Sequence, residues 1–227
     1  MPHGTVSRTE AALRGLIFPR KCVLCHCLLE PQEPRLCPRC AAAVPEPISG
    51  ARRGSYYQRW VSALWYVDAV RSSFGRYKFG GCSFYAREYG PLLAKAIETR
   101  LGTDYGLLTF VPINGLRRRR RGYDQGQLLA EQAAARLGLQ LCSTLKKRRR
   151  KPQSKALNAA ERRKNVQNAF WVWNPAAVQG KRVLLIDDVL TTGATVSEAA
   201  RVLLAAGAKS VDVATLAVTP MAERRAD

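Results

Sequence analysis

Two adjacent acidic residues followed by a hydroxyl-rich loop are the part of this sequence best suited to chemistry. Asp187 and Asp188 follow four apolar residues, 183–186, which predict a strand buried on both faces. The loop after them consists of small and hydroxyl-bearing residues: Thr191, Thr192, Gly193, Ala194 and Thr195. An amphipathic segment with helical spacing then runs from Val196 and stops at Gly207. The order is therefore strand, acid pair, hydroxyl loop and helix.

The start of this predicted helix is suited to hold a phosphate. The first backbone N–H groups of a helix have no partner within it, and the peptide dipoles place partial positive charge there. Threonine hydroxyls add donors, and Gly193 allows a close backbone approach. Asp187 and Asp188 accept hydrogen bonds, so they suit ribose hydroxyls. The pattern predicts a site for a phosphorylated sugar, and the alternative is a buried strand that ends in a solvated turn.

Four cysteines near the amino end have the spacing of a zinc site. They form two CxxC pairs: Cys22 with Cys25, and Cys37 with Cys40. Two such pairs hold one tetrahedral zinc ion, and four protein ligands leave no position for water, so we expect a structural site. His26 and Cys27 each stand next to a pair and offer a substitute ligand, and a redox CxxC is the competing interpretation. The odd total of 7 cysteines favours a reducing compartment.

Positive charge is concentrated in the middle of the chain. The 227 residues carry 37 Lys and Arg against 17 Asp and Glu, a net charge of +20, and most of the excess lies in residues 115–165. Six consecutive cations occupy positions 146–151. No apolar run is long enough to cross a membrane, and charged residues interrupt the amino end, so we expect a cytoplasmic protein without a signal peptide.

Strand-like and helical segments alternate along the remainder of the chain. Predicted strands cover residues 60–67, 107–111, 183–186 and 211–218, and predicted helices cover residues 83–101 and 125–137. This alternation predicts an α/β fold with a doubly wound parallel sheet. We expect an N-terminal zinc-binding module at residues 1–50, a linker near residues 43–54, and the α/β domain at residues 51–227.

A second candidate binding loop follows the predicted strand that ends at Val111. Residues 117–129 read RRRRRGYDQGQLL, and they are expected at the same edge of the sheet as the acid pair. The guanidinium groups of Arg119 and Arg121 are suited to bind an anion in bidentate fashion, and Gly122 permits a close approach.

Together these segments resemble the ComF family, also called GntX-like, of competence-associated phosphoribosyltransferase-like proteins. That family joins a CxxC…CxxC finger to an RxRGYNQ segment and to the DDVLTTGAT motif, here residues 187–195. Five residues match a further family stretch: Gln153, Leu157, Arg162, Asn165 and Phe170. Asp124 stands where the family usually carries Asn. Lys78, in the segment RYKFGG, matches a family lysine in a glycine-bearing loop, and this lysine either reaches a phosphate or is a solvated surface residue.

The resemblance implies a type I phosphoribosyltransferase fold and a site for phosphoribosyl pyrophosphate (PRPP). Asp187 and Asp188 would contact the ribose hydroxyls, residues 191–195 would hold the 5′-phosphate, and the segment with Arg119, Arg121 and Gly122 would hold the diphosphate. One implied function is a Mg²⁺-dependent transfer of the phosphoribosyl group to an unidentified nitrogen acceptor.

The other implied function is the handling of single-stranded DNA by a competence factor, with DNA-uptake machinery at the inner membrane as its partner. The cations at 146–151 would bind the phosphate backbone, while Tyr123, Trp171 and Trp173 would stack on bases. The alternative for these cations is an ordinary solvated basic loop.

Overall fold

A computed structural model describes residues 19–30, 35–50, 55–148 and 166–220. Contacts divide the chain into two compact units, Met1–Val44 and Pro45–Asp227. The predicted linker contains a short strand, Ile48–Ser49, which pairs with the sheet of the second unit. The domain limits at residues 1–50 and 51–227 stay predictions.

In residues 19–30 and 35–44, the first unit consists of two turns and a short helix. An antiparallel bridge joins Lys21 to Leu28 and closes the first CxxC turn. Helix α1 (Pro38–Ala42) carries the second pair. It begins after Cys37 because the sulfur of that residue accepts a hydrogen bond from the backbone N–H of Cys40, and because Pro38 suits the first helical position.

The second unit contains a largely parallel sheet. Its strands are β1 (Ile48–Ser49), β2 (Trp60–Trp65), β3 (Leu107–Phe110), β6 (Arg182–Leu190) and β7 (Ser210–Val218), in the spatial order β1-β2-β7-β6-β3. Strand β1 is antiparallel to its neighbour, and the other pairs are parallel. Two further strands, β4 (Leu145–Lys147) and β5 (Phe170–Val172), form a separate antiparallel ribbon.

Helices lie on both faces of this sheet. The helices described in the second unit are α2 (Asp68–Phe79), α3 (Tyr85–Arg100), α4 (Gly115–Arg121), α5 (Gln125–Leu137) and α6 (Ala194–Ala205), of which α3, α5 and α6 pack on the sheet. Val183 and Leu185 of β6 share a buried cluster with Val196 and Leu203 of α6. Helix α5 also packs on β6, and alternate side chains of a strand point to opposite faces. The predicted doubly wound α/β fold is confirmed. No helix in the described part of the chain has the length and apolar character that a membrane crossing requires.

Three elements differ from the sequence-based expectation. Strand β6 continues through the acid pair to Leu190, because β7 is equally long and pairs with it as far as Val218. The segment around Lys78, expected as a glycine-bearing loop, is the last turn of α2. The basic segment expected as a loop includes α4.

Helix α4 forms because both of its ends are capped. The Asn114 side chain accepts a hydrogen bond from the backbone N–H of Arg117 at 2.8 Å, which satisfies one donor of the first turn. Gly122 ends the helix with a φ of 82°, in the left-handed region that favours glycine. Arginine is itself a good helix former, so the caps outweigh the repulsion along the helix.

A buried carboxylate ties the amino end of β7 to its neighbours. Asp212 is only 2% exposed. It accepts hydrogen bonds from the backbone N–H of Arg59 at 2.9 Å, from the Arg59 guanidinium at 2.7 and 3.1 Å, and from the hydroxyl of Tyr105 at 2.8 Å. Both oxygens of this buried acid therefore accept hydrogen bonds, which stabilises the joint between β2, β3 and β7.

We expect Asp212→Ala to lower the free energy of unfolding by about 2–3 kcal/mol, because it leaves the donors of Arg59 and Tyr105 without their acceptor. Urea denaturation followed by circular dichroism measures this loss. The matched control is Asp104→Ala, which removes another Arg–Asp pair, that with Arg182, whose acid is 91% exposed. That change should cost less than about 1 kcal/mol, since exposed ion pairs contribute little. Equal losses in both variants would contradict the role assigned to Asp212.

Candidate functional site

The acid pair lies near the carboxyl end of β6, just beyond the point where the neighbouring strand β3 ends. Asp187 is level with Thr215 of β7. The preceding residue, Ile186, accepts a hydrogen bond from the backbone N–H of Val111 at 2.9 Å, where the chain leaves β3. The Asp187 carboxylate accepts a hydrogen bond from the N–H of Asp188 at 2.8 Å. Burial, and then the charge of Asp188, raise the pKa of Asp187 to about 7.

Lys78 pairs directly with the second acid. Its Nζ lies 2.8 Å from Oδ2 of Asp188, and both side chains are mostly buried. The same ammonium lies 5.4 Å from the centre of the Phe74 ring. Lys78 is therefore an ion-paired residue of this site, and the solvated alternative weighed for it is wrong.

Arg121 approaches the acid pair from α4. Its guanidinium lies 4.7 Å from the centre of the Phe79 ring and donates to Oε1 of Gln125 at 3.0 Å. Burial and the neighbouring charge of Arg117 lower the pKa of Arg121, and the negative charge of Asp188 opposes them. Arg119 lies on the same helix and is exposed. Of the two predicted diphosphate ligands, Arg121 is the less exposed and is fixed by its contacts with Phe79 and Gln125.

The hydroxyl loop leads directly into α6. Gly193 precedes the helix with a φ of 78°, which a residue with a Cβ rarely adopts. The Thr192 hydroxyl accepts a hydrogen bond from the N–H of Ala194 at 3.3 Å, while Thr191 is exposed and Thr195 is half-buried. The amino end of a 12-residue helix thus opens a few residues after the acid pair, as the sequence predicts.

Asp124 caps α5, the helix that follows the arginine segment. It is 4% exposed and precedes α5, where its two oxygens accept hydrogen bonds from the N–H of Ile113 at 2.9 Å and of Gln127 at 3.3 Å. Burial raises the pKa of Asp124, and these backbone donors oppose that effect. The carboxylate thus serves as the helix cap, so the departure from the family's Asn is accommodated by the backbone.

Helix α2 is the part of the site that sequence reasoning missed. The hydroxyl of Tyr77 donates to the carbonyl of Gln125 at 3.0 Å, and the hydroxyl of Tyr123 donates to the carbonyl of Tyr77. These bonds fasten the end of α2, and with it Lys78, to the start of α5. Val70, Phe74 and Tyr77 are buried at i, i+4 and i+7, a helical spacing that is visible in the sequence.

The four cysteine sulfurs of the first unit meet at one point. Those of Cys22, Cys25, Cys37 and Cys40 all lie within 4.8 Å of one another. The sulfurs of Cys25 and Cys37 are 3.7 Å apart, which fits the edge of about 3.8 Å expected for a tetrahedron with Zn–S bonds of about 2.3 Å. The backbone N–H of Cys40 lowers the pKa of the Cys37 thiol. All are free thiols, and they are able to hold a metal ion such as zinc.

Comparison with known proteins agrees with this geometry. The model of the phosphoribosyl transferase domain family matches residues 124–227, which include both the acid pair and the hydroxyl loop. Together with the parallel sheet, this match identifies the type I phosphoribosyltransferase fold. Among solved structures, a glutamine PRPP amidotransferase from B. subtilis is similar over 59% of this chain and 26% of that chain, at 23% identity and a TM-score of 0.42.

Two curated relatives cover most of the chain. DNA utilization protein YhgH of Salmonella typhimurium is 34% identical over 191 residues, which are 80% of this chain and 83% of the relative. Competence protein F of Haemophilus influenzae is 30% identical over 158 residues, 67% of this chain and 69% of the relative. Because a third of its residues are shared with such a relative over most of both lengths, the chain belongs to the ComF family of phosphoribosyltransferase-domain proteins, which includes these competence and DNA-utilization proteins.

Proposed function

We propose that the second unit binds PRPP and transfers its phosphoribosyl group to a nitrogen acceptor. The observation that carries this proposal is the arrangement around Asp187 and Asp188. Two acids stand at the edge of a parallel sheet, with Lys78 and Arg121 beside them and the start of α6 immediately after them. Acceptors for sugar hydroxyls and donors for phosphates therefore occupy one short stretch of surface.

Each part of PRPP has a complementary group in this arrangement. The ribose hydroxyls donate to Asp187 and Asp188, and the 5′-phosphate accepts from the loop 191–195. Arg119, Arg121 and the open backbone at Gly122 receive the diphosphate. In the reaction, the bond between the anomeric carbon and the diphosphate oxygen breaks, and a bond from the acceptor nitrogen forms. The sugar becomes cationic as this happens, so the neighbouring carboxylates stabilise the transition state.

The donor set also fits Mg²⁺. Carboxylate oxygens are preferred ligands of this ion, and Asp187 and Asp188 would hold it together with oxygens of the substrate. When bound, Mg²⁺ neutralises charge on the leaving diphosphate.

The first unit is proposed to hold structural zinc through its four thiolates. A site with four protein ligands is closed to water, so its contribution is to folding. Four reduced cysteines of this kind persist in a reducing compartment, which is the basis for placing the protein in the cytoplasm.

A second candidate function is favoured by the outer face of the β4–β5 ribbon. The Nζ of Lys146 lies 5.5 Å from the centre of the Trp171 ring and 4.8 Å from that of Trp173. These rings are 40% and 45% exposed, which is unusual for tryptophan. A cation between two exposed aromatic rings suits single-stranded DNA, whose bases stack and whose backbone is anionic. The names of the relatives, competence and DNA utilization proteins, are in keeping with such a ligand and with DNA-uptake machinery as a partner.

The PRPP proposal predicts a specific pH dependence. Because the pKa of Asp187 is raised to about 7, its ionised fraction, and with it the affinity for PRPP and Mg²⁺, should fall about tenfold between pH 8 and pH 6. Asp187→Asn should bind at least about tenfold more weakly at pH 8 and lose most of this slope. Isothermal titration measures both, and the slope left in the variant reports titration of the PRPP phosphates.

Controls separate binding from folding and from turnover. Asp104→Asn, at an exposed acid outside the site, should bind PRPP as the unchanged protein does. Asp187→Asn replaces a buried charge by a neutral side chain, so this variant should have a higher melting temperature at pH 8 than the unchanged protein. Release of pyrophosphate in the presence of a panel of free bases then tests turnover. Absence of PRPP binding by the unchanged protein at pH 8 would refute the proposal.

The zinc proposal predicts about one zinc ion per chain, measured by plasma mass spectrometry on protein purified without added chelator. Cys25→Ser should reduce this content severely, whereas Cys27→Ser should retain it. The two residues form a matched pair, because both are exposed thiols of the same turn. Equal zinc in the two variants would contradict the four-cysteine assignment.

The DNA proposal predicts that Trp171→Ala and Trp173→Ala each weaken binding of a fluorescent single-stranded oligonucleotide about fivefold or more, since one stacked base contributes about 1–3 kcal/mol. The control is Trp65→Ala, which removes another tryptophan that is 37% exposed but lies in β2. Affinity should also fall steeply as salt rises. Unchanged DNA binding by both Trp171→Ala and Trp173→Ala would contradict the DNA proposal and would support the alternative of an ordinary solvated basic segment.

A further inference from the structure

The run of cations at 146–151 is divided by the pleat of β4. In the ribbon, Leu145 pairs with Val172, Lys146 with Trp171, and Lys147 with Phe170. Leu145 and Phe170 are each 2% exposed and belong to the core, whereas Lys146 is exposed beside the tryptophans. Successive side chains of a strand point to opposite faces, so Lys147 shares the inward face with Leu145. Two adjacent lysines therefore face different surroundings.

Lys147 is half-buried on this inward face. Its Nζ lies 5.0 Å from the centre of the buried Phe170 ring. Burial lowers the pKa of Lys147, and the negative charge of Asp187 is the strongest opposing influence. The other charges that affect it are those of Arg117, Asp124 and Asp188. The chain that enters β4 runs beside β3, since Leu141 forms a parallel bridge with Leu108 and the Thr144 hydroxyl lies 2.9 Å from that of Thr109. Strand β4 therefore begins near the carboxyl end of β3, where the acid pair also lies, and Lys78 contacts that pair from α2.

The two lysines differ in how they are paired. Lys78 is already in contact with Asp188. Within the described ranges, the ammonium of Lys147 is at ion-pair distance from no carboxylate, although it has lost much of its water. A desolvated ammonium is costly unless an anion compensates it, and an aromatic ring compensates it only in part. The position is therefore built for a negatively charged group that comes from outside the chain.

The position of β4 beside the end of β3 indicates which end of the ligand that group is. The arginine segment proposed to hold the diphosphate follows β3 directly, whereas the 5′-phosphate loop follows β6. We propose that Lys147 is a further residue of the PRPP site and donates a hydrogen bond to a non-bridging oxygen of the diphosphate. This inference rests on the proposed function and adds a residue from an element outside the family motifs.

Its contribution would increase as the leaving group departs. The diphosphate takes the electron pair of the bond to the anomeric carbon and becomes more negative, while the lone pair of the acceptor nitrogen forms the new bond. A fixed ammonium in a site with little water stabilises that added charge without reorganising. Arginines on the exposed face of α4 share their charge with solvent, so the inward lysine is the better placed cation.

Isothermal titration of the full chain with Mg²⁺-PRPP and with ribose 5-phosphate tests this assignment. Lys147→Met should weaken PRPP binding about tenfold or more, because a charged hydrogen bond is lost, and should change ribose 5-phosphate affinity less than about twofold. Lys147→Arg keeps the charge and should recover most of the affinity. Lys146→Met is the matched control: it should leave both sugar phosphates unaffected and weaken single-stranded DNA instead.

The outcomes are distinguishable. PRPP affinity that is unchanged in Lys147→Met, while the unchanged protein binds PRPP, overturns the inference and leaves the proposed function intact. Equal losses for PRPP and ribose 5-phosphate assign Lys147 to support of the acid pair and also overturn it. If the unchanged protein binds no PRPP, the proposed function fails and this inference fails with it. A melting temperature within a few degrees of that of the unchanged protein shows that Lys147→Met is folded. If Lys147→Met is not folded, Lys147→Gln is titrated in its place.

Discussion

Repulsion between two neighbouring carboxylates in a poorly solvated position is the constraint around which the second unit is organised. Asp187 and Asp188 lie within β6, where burial and the charge of Asp188 both oppose ionisation of Asp187 and raise its pKa. Such a pair persists only if other elements bring positive charge to it. Lys78 does so from α2. The tyrosine hydrogen bonds between the end of α2 and the start of α5 hold that lysine in place, and they fix the arginine helix at the same time.

The pleat of a strand determines how the excess positive charge of this chain is used. Two of the six consecutive cations, Lys146 and Lys147, lie in β4, and they are not equivalent: Lys146 faces outward beside two tryptophans, whereas Lys147 faces inward beside the ring of Phe170. Residues 149–151 of the run lie outside the described part of the chain. One short ribbon can thus present separate surfaces to two anionic ligands, a nucleic acid backbone on the outside and a sugar diphosphate on the inside. The ribbon therefore makes the two candidate functions compatible on physical grounds.

The sequence predicts this fold well where local pattern and tertiary packing agree. Buried strands such as β3 and β7, helix α5 and the four cysteines follow from apolar runs, caps and spacing. Prediction fails where pairing decides: β6 extends beyond its apolar run because β7 provides partners, and this extension places the acids inside a strand. It also fails for α4, whose caps at Asn114 and Gly122 are less conspicuous than its charge.

Only part of the candidate site can be predicted from the sequence, because the rest depends on tertiary packing. The carboxylates at 187–188 and the hydroxyls of the loop 191–195 can be recognised in the sequence because they follow one another in the chain. Their geometry is set by a single strand and a single helix. The cations that complete the site come from α2 and β4, distant segments whose approach depends on how the sheet is wound. No spacing rule links Lys78 to Asp188, and only alternation within a ribbon separates Lys147 from Lys146.

The ion pair between Lys78 and Asp188 limits which ligands this site can bind. Asp188 is already neutralised by Lys78 at 2.8 Å, so ribose hydroxyls must share or replace that lysine when PRPP binds. A ligand with sugar hydroxyls alone would free an ammonium without supplying a new partner for it, at a cost that opposes binding. A ligand that also carries phosphates supplies one, because the released lysine meets an anion within the same pocket. The Lys78 ammonium is then paired both before and after binding. In the proposed PRPP site, the ion pair would therefore favour phosphorylated sugars over free ones, because leaving a buried lysine unpaired is costly.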